Sequence, residues 1–428
     1  METKKNYALP ILMMILLFGM ISFVTNLAAP MGVVLKSQFG VSNAMGLLGN
    51  MANFIAYAVM GIPGGILLQR IGFKKTALIA IVIGFVGILI QFLSGHAGQS
   101  SAMMVYLLGA FIAGFSMTLL NTVVNPMLNT LGGGGNKGNQ LIQIGGSFNS
   151  VMATFTPAFV GILIGEASKA RITDIFPVMY IAMGVFALIF VVLWAVSIPE
   201  PQAQWSSEPI GNLMSGAVKF RHFILGAVGI FVYVGVEVGT PGVLLYWLSD
   251  LPSVGATIAG SVAGTYWFLM LIGRLCGASI GGKVSSKSML TVGSMVAAVL
   301  ILAAIFAPSS SLVSLPVFKS SEAGALSFGF AQVPINAMFL VLVGLCTSIM
   351  WGGIYNLAVE GLGKYVAVAS GIFMTMVCGG GLIPAFQGWI ADKIGYQPSY
   401  WVMFAGFAYL LFYALVGSKN VNKDIKTT

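Results

Sequence analysis

The sequence predicts an all-α membrane protein with twelve transmembrane helices in two six-helix halves. Three observations carry that reading. Only 7% of the 428 residues are charged, against roughly 25% in soluble globular domains. Hydrophobic residues make up 58%, and apolar runs recur from Ala8 to Gly417, each long enough to cross a hydrocarbon core of about 30 Å. No alternating ten-residue strand pattern appears, so spans that must satisfy every backbone group internally are helices.

The spans fall, within a few residues, at 9–35, 43–69, 75–96, 101–131, 139–166, 174–197, 219–249, 254–281, 288–307, 333–360, 363–391 and 397–417. Met1 to Lys5 followed by apolar residues resembles a signal peptide, but the stretch runs on to about Leu35 without a small-residue cleavage site and reads as the first span. Glycine (55 residues) is scattered through these segments, which suits close helix packing in lipid rather than collagen or disorder. Gly273, Gly277 and Gly281, and Gly61 with Gly65, repeat every four residues as small-residue stripes.

An even number of spans puts both termini on one side, and the basic residues choose which. Lys4, Lys5, Arg70, Lys74, Lys75, Lys137, Lys219, Arg221, Lys283, Lys287, Lys364, Lys419, Lys423 and Lys426 fall on the terminal side, and Lys36, Lys169, Arg171, Lys319 and Lys393 on the other. The positive-inside rule makes the terminal side cytoplasmic. The stretch from Ile198 to Val218, with Pro199, Pro201 and Pro209 beside Glu200 and Glu208, reads as a linker. It divides the chain into an N-terminal bundle (1–197), a cytoplasmic linker (198–218) and a C-terminal bundle (219–428), the plan of transporters that rock two bundles about a midplane site. Ser309 to Gln332 is the other long interruption, and its Ser/Gly/Ala make-up reads as a mobile loop.

Several functions are excluded. The formal charge of +9 comes from single Lys and Arg residues between apolar spans, so there is no basic patch for nucleic acid. Cys276, Cys346 and Cys378 all lie in apolar spans and imply no disulfide framework. Gly133 to Gly138 spells G-x-G-x-x-G, but no strand precedes it. Gly277 to Val284 nearly spells a phosphate loop, but Val284 stands where Ser or Thr must hold magnesium. His96 and His222 are far apart in sequence and belong to no ligand cluster. No enzyme site, metal or cofactor is expected, beyond a co-transported H+ or Na+.

Gly65 to Lys75, with Gln69, Arg70, Gly72, Lys74 and Lys75, resembles the loop signature of the major facilitator superfamily, Gln69 replacing its usual Asp. Asn121-Thr-Val-Val-Asn125-Pro126, Ser147-Phe148-Asn149-Ser150, Tyr233-Val-Gly235-Val-Glu237, Gly273-Arg274, Ser348 to Trp351 through Gly361-Leu-Gly363, and Gly379 to Pro384 are similar to segments of the fucose and glucose/galactose permease family. The resemblance implies inward carriage of hexoses or 6-deoxyhexoses across the bacterial cytoplasmic membrane, usually with a proton and in some members with sodium. It also implies gating or structural roles for Arg70, Gly72 and Arg274. Two departures stand out: Asn26-Leu27 leads to Ala28-Ala29-Pro30 where fucose-type members carry an acid, and Asn121 stands where they carry Glu.

Asn121, Asn125 and Asn129 form one stripe on the fourth span, and their amides supply donors and acceptors to sugar hydroxyls as readily as to neighbouring helices. Asn26, Asn149 and Asn356 are further amide candidates, with Gln143 weaker. Tyr233, Tyr246, Trp267 and Trp351 could stack on a pyranose face, although such residues also anchor spans at the interface. Glu237 sits midway through the seventh span between Val residues, where an unpaired charge costs at least about 2.5 kcal/mol. It is therefore paired with Arg274, protonated, or in contact with substrate or a coupling cation. The expected function is a cation-coupled importer of a neutral monosaccharide working as a monomer in the bilayer. The alternatives are an uncoupled sugar facilitator, a multidrug-type exporter, or a sensor without transport.

Overall fold

The computed structural model describes residues 7–39, 48–98, 101–164, 171–200, 208–320, 326–422, 424, 425 and 427. Among the described residues twelve membrane helices follow one another. α1 is Ala8–Phe39. α2 and α3 are the two legs, 48–71 and 73–94, of the continuous stretch Leu48–Ser94. α4 is Ala102–Leu131, α5 Gly135–Ile164 and α6 Phe176–Ala195. α7 is Arg221–Ser249, α8 Gly255–Ile280 and α9 Ser286–Phe306. α10 comprises Ile335–Thr347 and Met350–Val359, and α11 comprises Val366–Thr375 and Gly379–Ile394. α12 is Trp401–Phe412, continued by a π-helical turn over Tyr413–Gly417. Among the described residues, ten stretches are long and apolar enough to cross a membrane. One of them, Met51–Ser94, contains both α2 and α3, and α5, rich in Asn, Gln, Gly and Ser, completes the twelve.

α2 turns into α3 at Gly72, whose φ of 86° and ψ of 175° lie in a region that essentially only glycine occupies. The new helix start leaves free N–H groups, and the exposed Glu200, just past α6, takes them. Its carboxylate accepts from Phe73 N at 2.9 Å and Lys74 N at 3.0 Å, while Lys74 Nζ donates to Trp194 O and Val196 O. The start of α3 is thus capped from the far end of the first six helices. Arg70 is exposed at this turn.

Beyond it, a short helix, Ile210–Ala217, interrupts the linker expected at 198–218. Glu208 ahead of it pairs with Lys364 at 2.8 Å. The tail after α12 returns to the same end: Arg221 N donates to Asn422 Oδ1 at 3.0 Å and Lys364 N to Thr427 O at 3.0 Å. We refer to this as the linker end. At the opposite end Tyr396 donates to Asp250, which puts the end of α11 that carries Asp392 and Lys393 beside the end of α7. The span count therefore holds.

The expectation of a mobile loop at 309–332 is corrected. Strands Leu312–Ser320 and Leu326–Pro334 pair antiparallel, Leu312 opposite Pro334 and Ser320 opposite Leu326. The Ser/Gly/Ala composition is concentrated near the middle of the segment, whereas Val313, Leu315, Val317, Ala331 and Val333 alternate as a strand does. Leu315, Val317, Ala331 and Val333 are buried, and the other face exposes Leu312, Phe328 and Phe330.

Two helix pairs make the broadest contacts between α1–α6 and α7–α12. α2 meets α11 where a Cβ on Gly65 would lie 2.8 Å from Gly371 Cα, so the backbones touch without intervening side chains. α5 meets α8. The stripe of Gly273, Gly277 and Gly281 serves both neighbours, the first two facing Ser348 and Ile349 of α10 and the last facing Gln140 of α5.

Candidate functional site

The site forms where α4, α5, α7, α8 and α10 converge. α4 carries its amides into the interior: Asn121 is 5% exposed and Asn125 is fully buried. Neither faces lipid, because Tyr57 of α2 and Trp351 of α10 lie against them at this level. Asn121 Nδ2 donates to Tyr57 Oη at 2.6 Å and Asn125 Nδ2 to Asn121 O at 2.8 Å. Asn125 Oδ1 accepts from Trp351 Nε1 at 3.0 Å, a bond that joins the first six helices to the last six.

Trp351 is positioned by the interruption of α10. Helical structure stops at Thr347 and resumes at Met350, and a broken helix turns some of its polar backbone toward other partners. Thr347 O accepts from Tyr233 Oη at 3.2 Å, and Ile349 O accepts from Gln143 Nε2 at 2.8 Å. Tyr266 and Thr347 share a hydroxyl–hydroxyl bond of 3.0 Å. The indole of Trp351 lies edge-on to Tyr233 and Phe373, with centroids 6.3 and 6.4 Å away.

Tyr233 and Glu237 are one turn apart on α7, so their side chains meet, and Tyr233 Oη donates to Glu237 Oε1 at 2.7 Å. Arg274 Nη2 donates to the same oxygen at 3.3 Å. The other guanidinium edge reaches α5, where Nη1 donates to Ser150 Oγ at 2.7 Å, Gly146 O at 3.2 Å and Asn149 Oδ1 at 3.4 Å. Charge is thus balanced within the membrane by one carboxylate and one guanidinium, which Coulomb attraction binds far more strongly than it would in water. Among the described residues no group of His, Cys, Asp and Glu could hold a metal ion.

Of the residues singled out in the sequence, Asn121, Asn125, Trp351, Tyr233, Glu237, Arg274 and Asn149 join in this one network, Asn149 also donating to Phe18 O at 2.9 Å. Others lie elsewhere. Asn356 accepts from Asn129 Nδ2 at 2.5 Å and donates to Ser286 Oγ at 2.9 Å, nearer the linker end. Asn26 bonds back to Ser22 on its own helix. Tyr246 and Trp267 are 48% and 41% exposed. Arg70 and Gly72 belong to the α2–α3 turn. Sequence reasoning missed Tyr57, Ser150 and Thr347 as site residues. The signal for Ser150 was present, four residues after Gly146 on the face that carries Asn149's neighbours, but a serine in a helix most often bonds its own backbone.

The Major Facilitator Superfamily pattern matches residues 11–383. The chain belongs to the major facilitator superfamily. Superfamily membership makes it a multi-pass membrane transporter rather than an enzyme. It is similar to a Brucella abortus glucose/galactose transporter, 28% identical over 430 residues covering 98% of this chain and 96% of the relative. It is also similar to the Escherichia coli L-fucose-proton symporter, at 20% identity over 92% of this chain and 90% of the relative. A crystal structure of the Escherichia coli fucose:proton symporter superposes with a TM-score of 0.81 at 17% identity, covering 97% of this chain and all of that one. That structural likeness shows the same twelve-helix superfamily fold.

Proposed function

We propose that this superfamily member imports a neutral monosaccharide, a hexose or 6-deoxyhexose, by alternating access in the bacterial inner membrane with both termini cytoplasmic. Residues 1–197 and 219–428 move as two bundles about the linker 198–218, each chain working as a monomer. The observation that carries the reading is the Tyr57–Asn121–Asn125–Trp351 chain across the join of the two helix sets. Amides, a phenol and an indole N–H offer neutral donors and acceptors at the midplane, where sugar hydroxyls exchange for protein partners. The names of the relatives, glucose/galactose transporter and L-fucose-proton symporter, support the substrate class. A drug exporter would favour an apolar surface here.

Cation coupling by H+ or Na+ runs through Glu237. Uncoupled facilitation is the second reading, favoured by the bonds that Glu237 already makes to Arg274 and Tyr233. Uptake of labelled glucose, galactose and fucose into proteoliposomes under imposed proton or sodium gradients tests both. Uphill accumulation that is lost in Glu237→Gln supports coupling through Glu237. Downhill entry alone, under either gradient, supports the facilitator. No saturable uptake of any of the three sugars refutes the substrate class.

A further inference from the structure

We propose that Arg274 is a positioning residue that latches the two helix sets together, and that Glu237 aims it. The inference rests on the alternating-access reading. A guanidinium is a planar fork with donors on both edges. One edge of Arg274 is held by Glu237 of α7, and the other reaches Ser150, Gly146 and Asn149 of α5, so a single side chain spans the join. Glu237 is itself fixed by Tyr233, whose hydroxyl also bonds Thr347 O at the break in α10. The line of contacts therefore runs α10, α7, α8, α5, from the last six helices to the first.

The two edges are unequal. Leaving Glu237 would strand two opposite charges away from water, whereas leaving α5 gives up bonds to neutral acceptors. When the sets part, Arg274 stays with Glu237 and releases α5. When they close, the carboxylate holds the guanidinium plane at the angle from which Nη1 finds its α5 acceptors again. Gln140 Nε2 donating to Ala278 O at 3.1 Å and Gln143 Nε2 donating to Ile349 O continue the same seam toward the linker end, so loss of the latch is read there.

The experiment is a distance measurement between spin labels at Lys137→Cys and Lys283→Cys. Both positions are exposed at the linker end on either side of the α5–α8 seam, and Cys276, Cys346 and Cys378 are replaced by serine in the full-length protein in liposomes. Arg274→Gln and Glu237→Gln should each raise the ratio of long to short distances by about tenfold, the size expected for losing a hydrogen bond from a charged donor. The double variant should be no worse than either single one, because both remove the same latch. Arg274→Lys should fold in normal yield yet resemble Arg274→Gln, since a point charge cannot serve both edges. Ser150→Ala, which leaves the ion pair intact, should shift the ratio the same way by less, and lower kcat for sugar uptake while leaving KM unchanged. An unchanged distribution in Arg274→Gln or in Ser150→Ala, additive effects in the double variant, or native behaviour of Arg274→Lys would each overturn the latch. The distances need no sugar, so the latch can stand or fall separately from the substrate assignment.

Discussion

Asn125→Ala tests the proposed sugar site most directly. The amide does two things: Nδ2 bonds Asn121 O, a helical carbonyl, and Oδ1 takes the indole N–H of Trp351. Losing the first leaves a carbonyl that still has its place in the helix ladder. Losing the second strands a donor in the membrane interior, at about 1–3 kcal/mol. The single variant should therefore lower thermal stability in detergent and, if Asn125 also meets the sugar, weaken binding. Each lost sugar bond of about 1.4 kcal/mol raises Kd tenfold. Adding Trp351→Phe removes the stranded donor while keeping an aromatic ring. In Asn125→Ala/Trp351→Phe, stability should return to within about 1 kcal/mol of the native protein, since removing both partners of a buried bond can be nearly neutral. Affinity, measured by titration calorimetry or equilibrium binding in the same detergent, should stay at least tenfold weaker than native. If affinity recovers together with stability, Asn125 acts through packing alone and the reasoning fails.

Three further predictions concern the frame around that site. Gly72→Ala forces a Cβ into a glycine-only backbone region and should cost about 1–3 kcal/mol, read as a lower melting temperature; an unchanged melting curve would show that the α2–α3 turn relaxes. Gly65→Val pushes against the backbone of Gly371 and should hold α2 away from α11, abolishing sugar uptake in proteoliposomes while the protein still reaches the membrane; native uptake would mean that this contact is dispensable. Glu200→Ala exposes two helix-start N–H groups and should cost about 0.5–2 kcal/mol. Glu208→Ala removes an ion pair whose carboxylate is 43% exposed and should cost less than Glu200→Ala, since exposed ion pairs are screened by solvent. Reversal of that order in thermal melts would refute the capping argument.

The helices were legible because lipid leaves the chain few choices: a run of about twenty apolar residues is a span whatever its neighbours. Gly72 and the polar flank of Gln69 and Arg70 marked the α2–α3 turn even though the two legs form one continuous helical stretch. The hairpin at 312–334 was not legible as long as the segment was judged by overall composition, since Ser, Gly and Ala near its middle hid the alternation on either side. Within the site, Glu237 and Arg274 stood out because a charge in a span needs a reason, although their pairing was only one of the readings the sequence left open. What could not be read was direction. Asn121, Asn125 and Asn129 share a stripe, yet they meet Tyr57, Trp351 and Asn356 in turn, because the partner depends on which part of α2 or α10 lies opposite. Tyr57 and Ser150 carried no charge to announce them.

The seam toward the linker end consists of bonds from Asn129, Gln140 and Gln143 to an amide and to two backbone carbonyls. Neutral dipoles are not screened by dissolved salt as ion pairs are, so these three bonds are themselves indifferent to ionic strength. What competes for these groups is water itself. A solute that withdraws water from the seam, such as sucrose or another excluded osmolyte, should favour the closed arrangement. The closing of the seam would then respond to the osmotic condition around it.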